Sequence, residues 1–436
     1  MRLPFIKMIL CASTAALTPA AQVRADNQTL DLSPIVIGAP QAFTTQILPS
    51  LAFPSATVPT LHSFARANYT PPAAANSQWL MIGGMTNGLH DLGNDGFDPA
   101  KHNKNIYVVD PVTQQVWSRP MTDPTSGLTT AQIESLATTN AQYSQKGSKL
   151  YITGGYGPTS ATGKYHTFSE LTSVDIPGLM NWVKTGTGSA VANLRQISDP
   201  IFKVTGGEMA TSANGKTHLV FGQDYPDNYE SRQDGEYTKQ VRSFTIVDNA
   251  GGLSISGAVS HPQQDDFRRR DLNMVPTIKK VNGNLVENLQ ALSGVFTPSF
   301  GAWTAPVNID QDGIATQPDP LAPGTFKQGM NGYRCGTVGL YSASQEKMHT
   351  LLFGGISFQF YNPATGQIAD DGNLPFINDI TDIITDAQGN MIQHLLPASF
   401  PSIIAPGTGT ALLLGAEAEF FLKDGIATFG NVVIDL

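Results

Sequence analysis

Cysteine is almost absent from this sequence: Cys11 and Cys335 are the only two in 436 residues. Cys11 lies in an N-terminal segment read below as cleaved, and one remaining thiol closes no internal disulfide, so the chain is no disulfide scaffold. Charge is sparse, at 14% of residues, and the basic sign is the scarcer: 26 Lys and Arg against 35 Asp and Glu, net −9. Such a surface draws neither nucleic acid nor anionic membrane by non-specific attraction. Long apolar runs are missing as well. None reaches the roughly 20 residues that a spanning helix requires, so no membrane span is expected. What is plentiful is glycine (42) and proline (29). That profile belongs to many short strands joined by tight turns rather than to helix bundles.

The N-terminus has its own pattern. Arg2 and Lys7 precede a small, apolar stretch over residues 8–22, and Val23-Arg24-Ala25 fits a small-x-small cleavage site. This order reads as a signal peptide over residues 1–25, cleaved after about Ala25, with residues 26–436 as a single periplasmic or secreted domain. Leu10, not a small residue, precedes Cys11, so no lipid is expected there. Loss of Arg2, Lys7 and Arg24, with no acid among residues 1–25, takes the net charge from −9 to −12.

One pattern then recurs, a strand-like apolar run ending in glycine. Its copies are Trp79-Leu-Met-Ile-Gly83-Gly84, Leu150-Tyr-Ile-Thr-Gly154-Gly155, His218-Leu-Val-Phe-Gly222, Leu289-Gln-Ala-Leu-Ser-Gly294, Leu351-Leu-Phe-Gly354-Gly355 and Leu412-Leu-Leu-Gly415. Their glycines lie 60 to 72 residues apart, too far for one hairpin and suited to a four-stranded unit with loops. Upstream of each copy sits another short strand and a turn, as in Asn282-Gly283 and Asn214-Gly215. Downstream comes a strand ending in Asp and one holding an aromatic. Ile106-Tyr-Val-Val-Asp110 with Trp117 is the clearest, and Thr172-Ser-Val-Asp175 with Trp182, Ser243 to Asp248 and Phe358 to Asn362 are weaker.

Together these features resemble the kelch repeat. The resemblance implies an all-β fold, a six-bladed kelch-like β-propeller of four-stranded antiparallel blades, with glycines where crowded backbones leave no room for a side chain. The third, fourth and sixth copies lack the full glycine pair. Asn431-Val-Val-Ile-Asp435 matches Asn105-Ile-Tyr-Val-Val-Asp110, and the chain then stops one strand short. Pro34 to Gly38 and residues 42–48 supply spare strands. The expectation is closure of the last blade by residues 42–48, which removes free sheet edges. Seven blades remain an alternative if residues 30–50 form more of a blade of their own.

Propeller chemistry sits where the loops leading into each inner strand converge. Here those positions are His62-Ser63, Gln142-Tyr143, Glu208, Arg268-Arg269-Arg270-Asp271 with Asn273, Tyr333-Arg334, and Ser402. Arg269, Arg270 and Arg334 suit a carboxylate or an acidic sugar through bidentate hydrogen bonds, with salt bridges between blades as the alternative. Glu208 and His62 are the acid/base candidates. Gln142, Asn273 and Tyr333 join the Arg pair as candidate ligand contacts, and so do Asn87 and His90 in the long loop after Gly84. That loop also holds Asp91, Asp95, Asp98 and His102, whose spacing fits no metal template. Asn308, Asp310, Asp312 and Gly313, with Asp319, follow the spacing of a calcium loop, although Pro318 and Pro320 forbid a following helix.

Two relatives of this architecture shape the functional expectation. Galactose-oxidase-like enzymes need a Cys–Tyr crosslink and Tyr and His copper ligands. Cys335 is the one available thiol and Tyr165-His166 falls in a variable loop, so copper is not expected. Sialic-acid mutarotases resemble the pattern better, and that resemblance implies Glu208 as acid/base and Arg334 on the sugar carboxylate. The sequence thus points to a monomeric module binding a small acidic or carbohydrate ligand or an envelope protein. The alternative is an enzyme acting on such a ligand.

Overall fold

The computed structural model describes residues 33–38, 61–72, 76–87, 97–230, 233–299, 301–400, 403–404, 411–412, 415–422 and 425–435. The expected signal peptide and the expected closing strand 42–48 lie outside them. The fold is all-β, built mainly from four-stranded antiparallel sheets in which sequence neighbours pair, an architecture consistent with a propeller. The first sheet holds Ala65–Tyr69, Gln78–Ile82, Asn105–Asp110 and Gln115–Pro120. The second holds Gln142–Lys146, Lys149–Thr153, Glu170–Asp175 and Leu194–Ser198. Glu208–Thr211, Thr217–Val220, Val241–Asn249 and Gly252–Ser260 form the third, and Asn273–Val281, Asn284–Leu292, Val307–Ile309 and Ala315–Thr316 the fourth. The fifth is Gly336–Ser342, Lys347–Ile356, Phe376–Thr385 and Met391–Ser399 within a larger mixed sheet. Asn282 (φ 52°) and Gly283 (φ 80°) make the tight turn between paired Val281 and Asn284, as the Asn-Gly signal requires.

Successive sheets pack face to face. Leu80, Ile82 and Val108 of the first meet Leu150, Ile152 and Val174 of the second. Leu171 faces Met209, Leu219 and Phe244 of the third, Val220 and Val241 face Leu289, Ala291 and Val307 of the fourth, and Val275 and Leu292 face Leu352 and Ile383 of the fifth. Residues 415–422 touch both the fifth sheet and the first. Phe420 packs on Phe353 (4.8 Å) and Phe421 stacks on Trp79 (4.3 Å).

The glycine pairs are explained by this packing. Gly83 and Gly84, Gly154 and Gly155, and Gly354 and Gly355 all have positive φ. A Cβ on Gly154 would lie 2.0 Å from Val204 O of the next sheet. In the third and fourth copies Phe221 (φ 58°) and Ser293 (φ 52°) adopt the left-handed conformation without being glycine. The N–H groups of Gly84, Gly155 and Gly222 donate to Thr138, Val204 and Arg269, each a carbonyl in the segment leading into the next sheet.

Several strand assignments need correction. Trp182 is on a helix, Ile176–Thr185, because Asp175 caps it and Pro177 opens it; the fourth strand there is Leu194–Ser198. Gln359–Asn362 pairs with Gln367–Asp370 as a separate hairpin, and the third strand of the fifth sheet is Phe376–Thr385. Ile35–Ile37 pairs in parallel with Gln393 to Leu395 at the outer edge of the fifth sheet. Val432–Asp435 does not serve as a third strand. It pairs in parallel with Leu340 to Ser342, because Val432 is buried against Ile278, Tyr341 and Met348.

Candidate functional site

The lead-in segments come together on one arc of backbone, here termed the ring. Ser63, Asn140, Gly206, Asp271, Arg334 and Glu417 all have left-handed φ, between 50° and 68°. The first five lie two residues before the first strands of the five sheets. Asn140 N donates to Ser63 O (3.1 Å), Gly206 N to Asn140 O (3.1 Å), Asp271 N to Gly206 O (2.7 Å) and Glu417 N to Arg334 O (2.7 Å). Ser63 N returns to the Glu417 carboxylate, 3.1 Å from Oε2. The left-handed conformation costs a non-glycine residue about 1 kcal/mol, and these hydrogen bonds offset it.

The sixth member corrects the repeat. Gly415 is not the glycine of a second strand. It stands two residues before Glu417, the place that Thr138, Val204 and Arg269 hold before Asn140, Gly206 and Asp271. Ser402, the expected lead-in residue, lies outside the described residues.

Side chains from four distant segments meet on this ring. Arg334 Nη1 donates to Glu208 Oε1 at 3.1 Å and Arg334 Nε to Glu417 Oε1 at 2.6 Å. Ser63 Oγ donates to Glu417 Oε1 at 3.2 Å, and His62 Nδ1 is 3.1 Å from Ser63 Oγ. Beside them, Glu419 accepts from Tyr143 OH at 2.8 Å and from Arg66 Nε, and Arg66 lies 4.8 Å over the Phe421 ring. The five charged side chains keep between 11% and 29% exposure, so solvent reaches the cluster.

The two carboxylates flanking Arg334 differ in character. Burial pushes Glu208 up to about 7, assisted by Glu419, Glu417 and Asp271 and opposed by Arg334. Burial also acts on Glu417, but the Arg334 charge and hydrogen bond outweigh it and hold that carboxyl below its usual range. With the two values pushed apart, the anion is favoured at Glu417 and a proton is held more readily at Glu208.

The expected site residues divide. Glu208, Arg334 and, through Ser63, His62 come together. Arg270 is buried next to the ring, 5.1 Å from the Phe296 ring and 3.8 Å from both Asp234 and Asp271. Tyr333 is buried beside it, and burial raises its phenol. Gln142 is buried with its amide against Gly207 and no hydrogen-bond partner. Arg269 is not placed to touch a ligand. It is fully buried, stacks on Trp303 at 4.9 Å and donates to Asp266 O, Ser293 O and Ala305 O. Asn273 is likewise committed, donating to Gly332 O and accepting from Cys335 N. Asn87 is exposed, and His90 lies outside the described residues.

In the expected calcium loop, Asn308 Oδ1 accepts from Gln290, Asp310 Oδ1 from the amides of Asp312 and Ile314, Asp312 Oδ1 from Lys216, and Asp319 Oδ1 from Leu321 N. These contacts hold turns. Among the described residues no group of three or more His, Cys, Asp or Glu is arranged to hold a metal. Burial raises the Cys335 thiol to about 12.

Sequence reasoning missed Glu417, Glu419 and Arg66. Glu417 and Glu419 follow a glycine mistaken for the end of a strand, and Arg66 sits inside a strand rather than before one. No family model matches the chain, and no curated protein matches it. Among solved structures it is similar to that of YjhT, at a TM-score of 0.39 and 13% identity over 83% of this chain and 92% of that one. A likeness that loose assigns neither function nor blade number.

Proposed function

We propose that the chain is an exported, six-bladed kelch-like propeller whose axis binds a small carbohydrate. Blade six takes residues 415–422 as its innermost segment, seated between Phe353 and Trp79, and this closes the circle. Export rests on the pattern of residues 1–25, and places the protein in the periplasm or outside the cell. The observation that carries the binding reading is the convergence of Glu208, Arg334, Glu417, Glu419, Arg66 and Tyr143 around one backbone ring. Arg66 and Arg334 already face protein carboxylates, which weakens the case for a purely anionic ligand. A sugar suits the cluster better, because its hydroxyls donate to carboxylates and accept from guanidinium and phenol.

The test is calorimetric titration of the purified protein with a panel of neutral and acidic sugars. Binding of at least one, reduced at least about tenfold by Glu419→Gln or Arg334→Lys, supports the reading. No binding across the panel, or binding indifferent to both variants, overturns it.

One observation favours a second reading, an enzyme acting at the sugar's anomeric centre: Glu208 titrates near 7 beside Arg334. Accelerated exchange between anomers, read by NMR and abolished in Glu208→Gln, would support it. Exchange at the uncatalysed rate with wild-type protein would remove it.

A further inference from the structure

At the outer edge of the fifth sheet, Phe376–Thr385 and Met391–Ser399 pair with a break in register. Asp379 stands opposite Ser399 and Thr381 opposite Leu395, so Ile380 alone faces Leu396, Pro397 and Ala398. Pro397 has no N–H to give to the ladder, and a ladder interrupted in this way bulges. Beside the bulge run Ile35–Ile37, paired in parallel with Gln393 to Leu395, and the hairpin that carries Tyr361. These elements enclose a cleft of about 420 Å³ whose walls include Ile37, Tyr361, Asp379, Leu395 and Pro397.

Asp379 is the one charged residue in the lining, and it is part-exposed. Burial raises its carboxyl and its own backbone amide opposes this; no charged group among the described residues acts on it. Asp382, three residues on, is a contrast, since it holds His349 Nδ1 at 2.8 Å. Asn378 does not serve Asp379 either, because it donates to Phe400 O. The rest of the wall is largely apolar. Ile37 is 62% exposed, and Tyr361 packs with Met330, Ile377 and Leu395. An unneutralised carboxylate beside an aromatic ring and aliphatic walls matches a cation carried on a hydrocarbon chain. A sugar would find too few hydrogen-bonding groups here, and an anion would meet like charge, in a protein already at net −9.

We propose that this cleft, distinct from the axial ring, binds a small organic ammonium ion, with its charge on Asp379 and its hydrocarbon chain along Ile37, Leu395 and Pro397. The cleft's volume falls within the roughly 300–1,000 Å³ of small-molecule sites.

The test uses the full chain and three probes with one hydrocarbon chain and different heads: hexylammonium, 1-hexanol and hexanoate. Each is titrated at pH 7 and constant ionic strength, with binding followed by ligand-observed NMR. The site predicts saturable binding of hexylammonium, at least about fivefold weaker binding of hexanol, and none of hexanoate. Asp379→Asn, which keeps the shape of the side chain and removes its charge, should lower hexylammonium affinity about fivefold, to the level of hexanol. Ile37→Ser leaves the carboxylate in place and should weaken hexylammonium and hexanol alike. The proposal is overturned by absence of saturable hexylammonium binding, by hexanol or hexanoate binding as tightly, or by undiminished affinity in either variant. A crystal structure with the chain's own residues filling the cleft would overturn it as well.

Discussion

Glu208 and Arg334, 126 residues apart in the chain, are joined by a hydrogen bond of 3.1 Å from Nη1 to Oε1. The same guanidinium holds Glu417 through Nε. One cation between two carboxylates ties the third sheet, the fifth sheet and the C-terminal segment together, and its consequences are measurable.

Removing the cation leaves two half-buried carboxylates uncompensated. Arg334→Met is expected to cost about 3–5 kcal/mol in urea unfolding, whereas Glu208→Gln, which keeps a hydrogen-bond acceptor, should cost no more than about 2 kcal/mol. Equal losses would mean that the pairing is unimportant to stability.

The two carboxylates give opposite pH signatures. Glu208 has a folded value, about 7, above its ordinary 4.5. Its contribution to stability is therefore complete below about pH 4.5 and is lost as pH rises through 7. Glu417 is lowered, so its contribution is present above the ordinary value and is lost only as pH falls through its folded value. Melting temperatures taken from pH 4.5 to 8 should fall more for the wild type than for Glu208→Gln. Parallel curves would show that Glu208 is not perturbed.

The glycine pairs make a packing prediction. A Cβ at position 154 meets the Val204 carbonyl, while one at Gly147 (φ 57°) meets nothing within 4 Å. Gly154→Ala should cost about 3 kcal/mol or more and Gly147→Ala about 1 kcal/mol, both read by urea unfolding. Similar costs would indicate that the sheets do not press together at Gly154.

Ser293 takes a glycine's conformation without being one. It is fully buried, and its hydroxyl has no hydrogen-bond partner. Ser293→Gly should stabilise the protein by about 0.5–1 kcal/mol, by removing left-handed strain and a buried unpaired hydroxyl. Destabilisation would place the hydroxyl in a contact that the packing does not reveal.

What the sequence disclosed follows from where side-chain identity is constrained. Gly83 and Gly154 stand where a Cβ would strike the next sheet's lead-in segment, and Gly84, Gly155 and Gly355 where it would strike their own sheet's, so glycine itself repeats and the period can be read. Glu208 and Arg334 were legible because they flank those repeats. The ring was not, because its six positions share a backbone conformation carried by six different residue types, Ser63 to Glu417, each paid in hydrogen bonds rather than in a common side chain. Gly415 misled because it shares the glycine and not the position. Arg269 and Asn273 looked like ligand contacts for the reason that polar residues near an axis usually do, yet buried carbonyls and amides claim them. Only tertiary packing distinguishes such residues from Arg334.

The central claim, a carbohydrate site on the axis, is tested most directly by a crystal structure of the protein soaked with the sugar that binds best in solution. The account predicts the sugar at the ring, with hydroxyls within hydrogen-bond distance of Glu208, Arg334 or Glu419. A sugar bound elsewhere, with this cluster untouched, would contradict it.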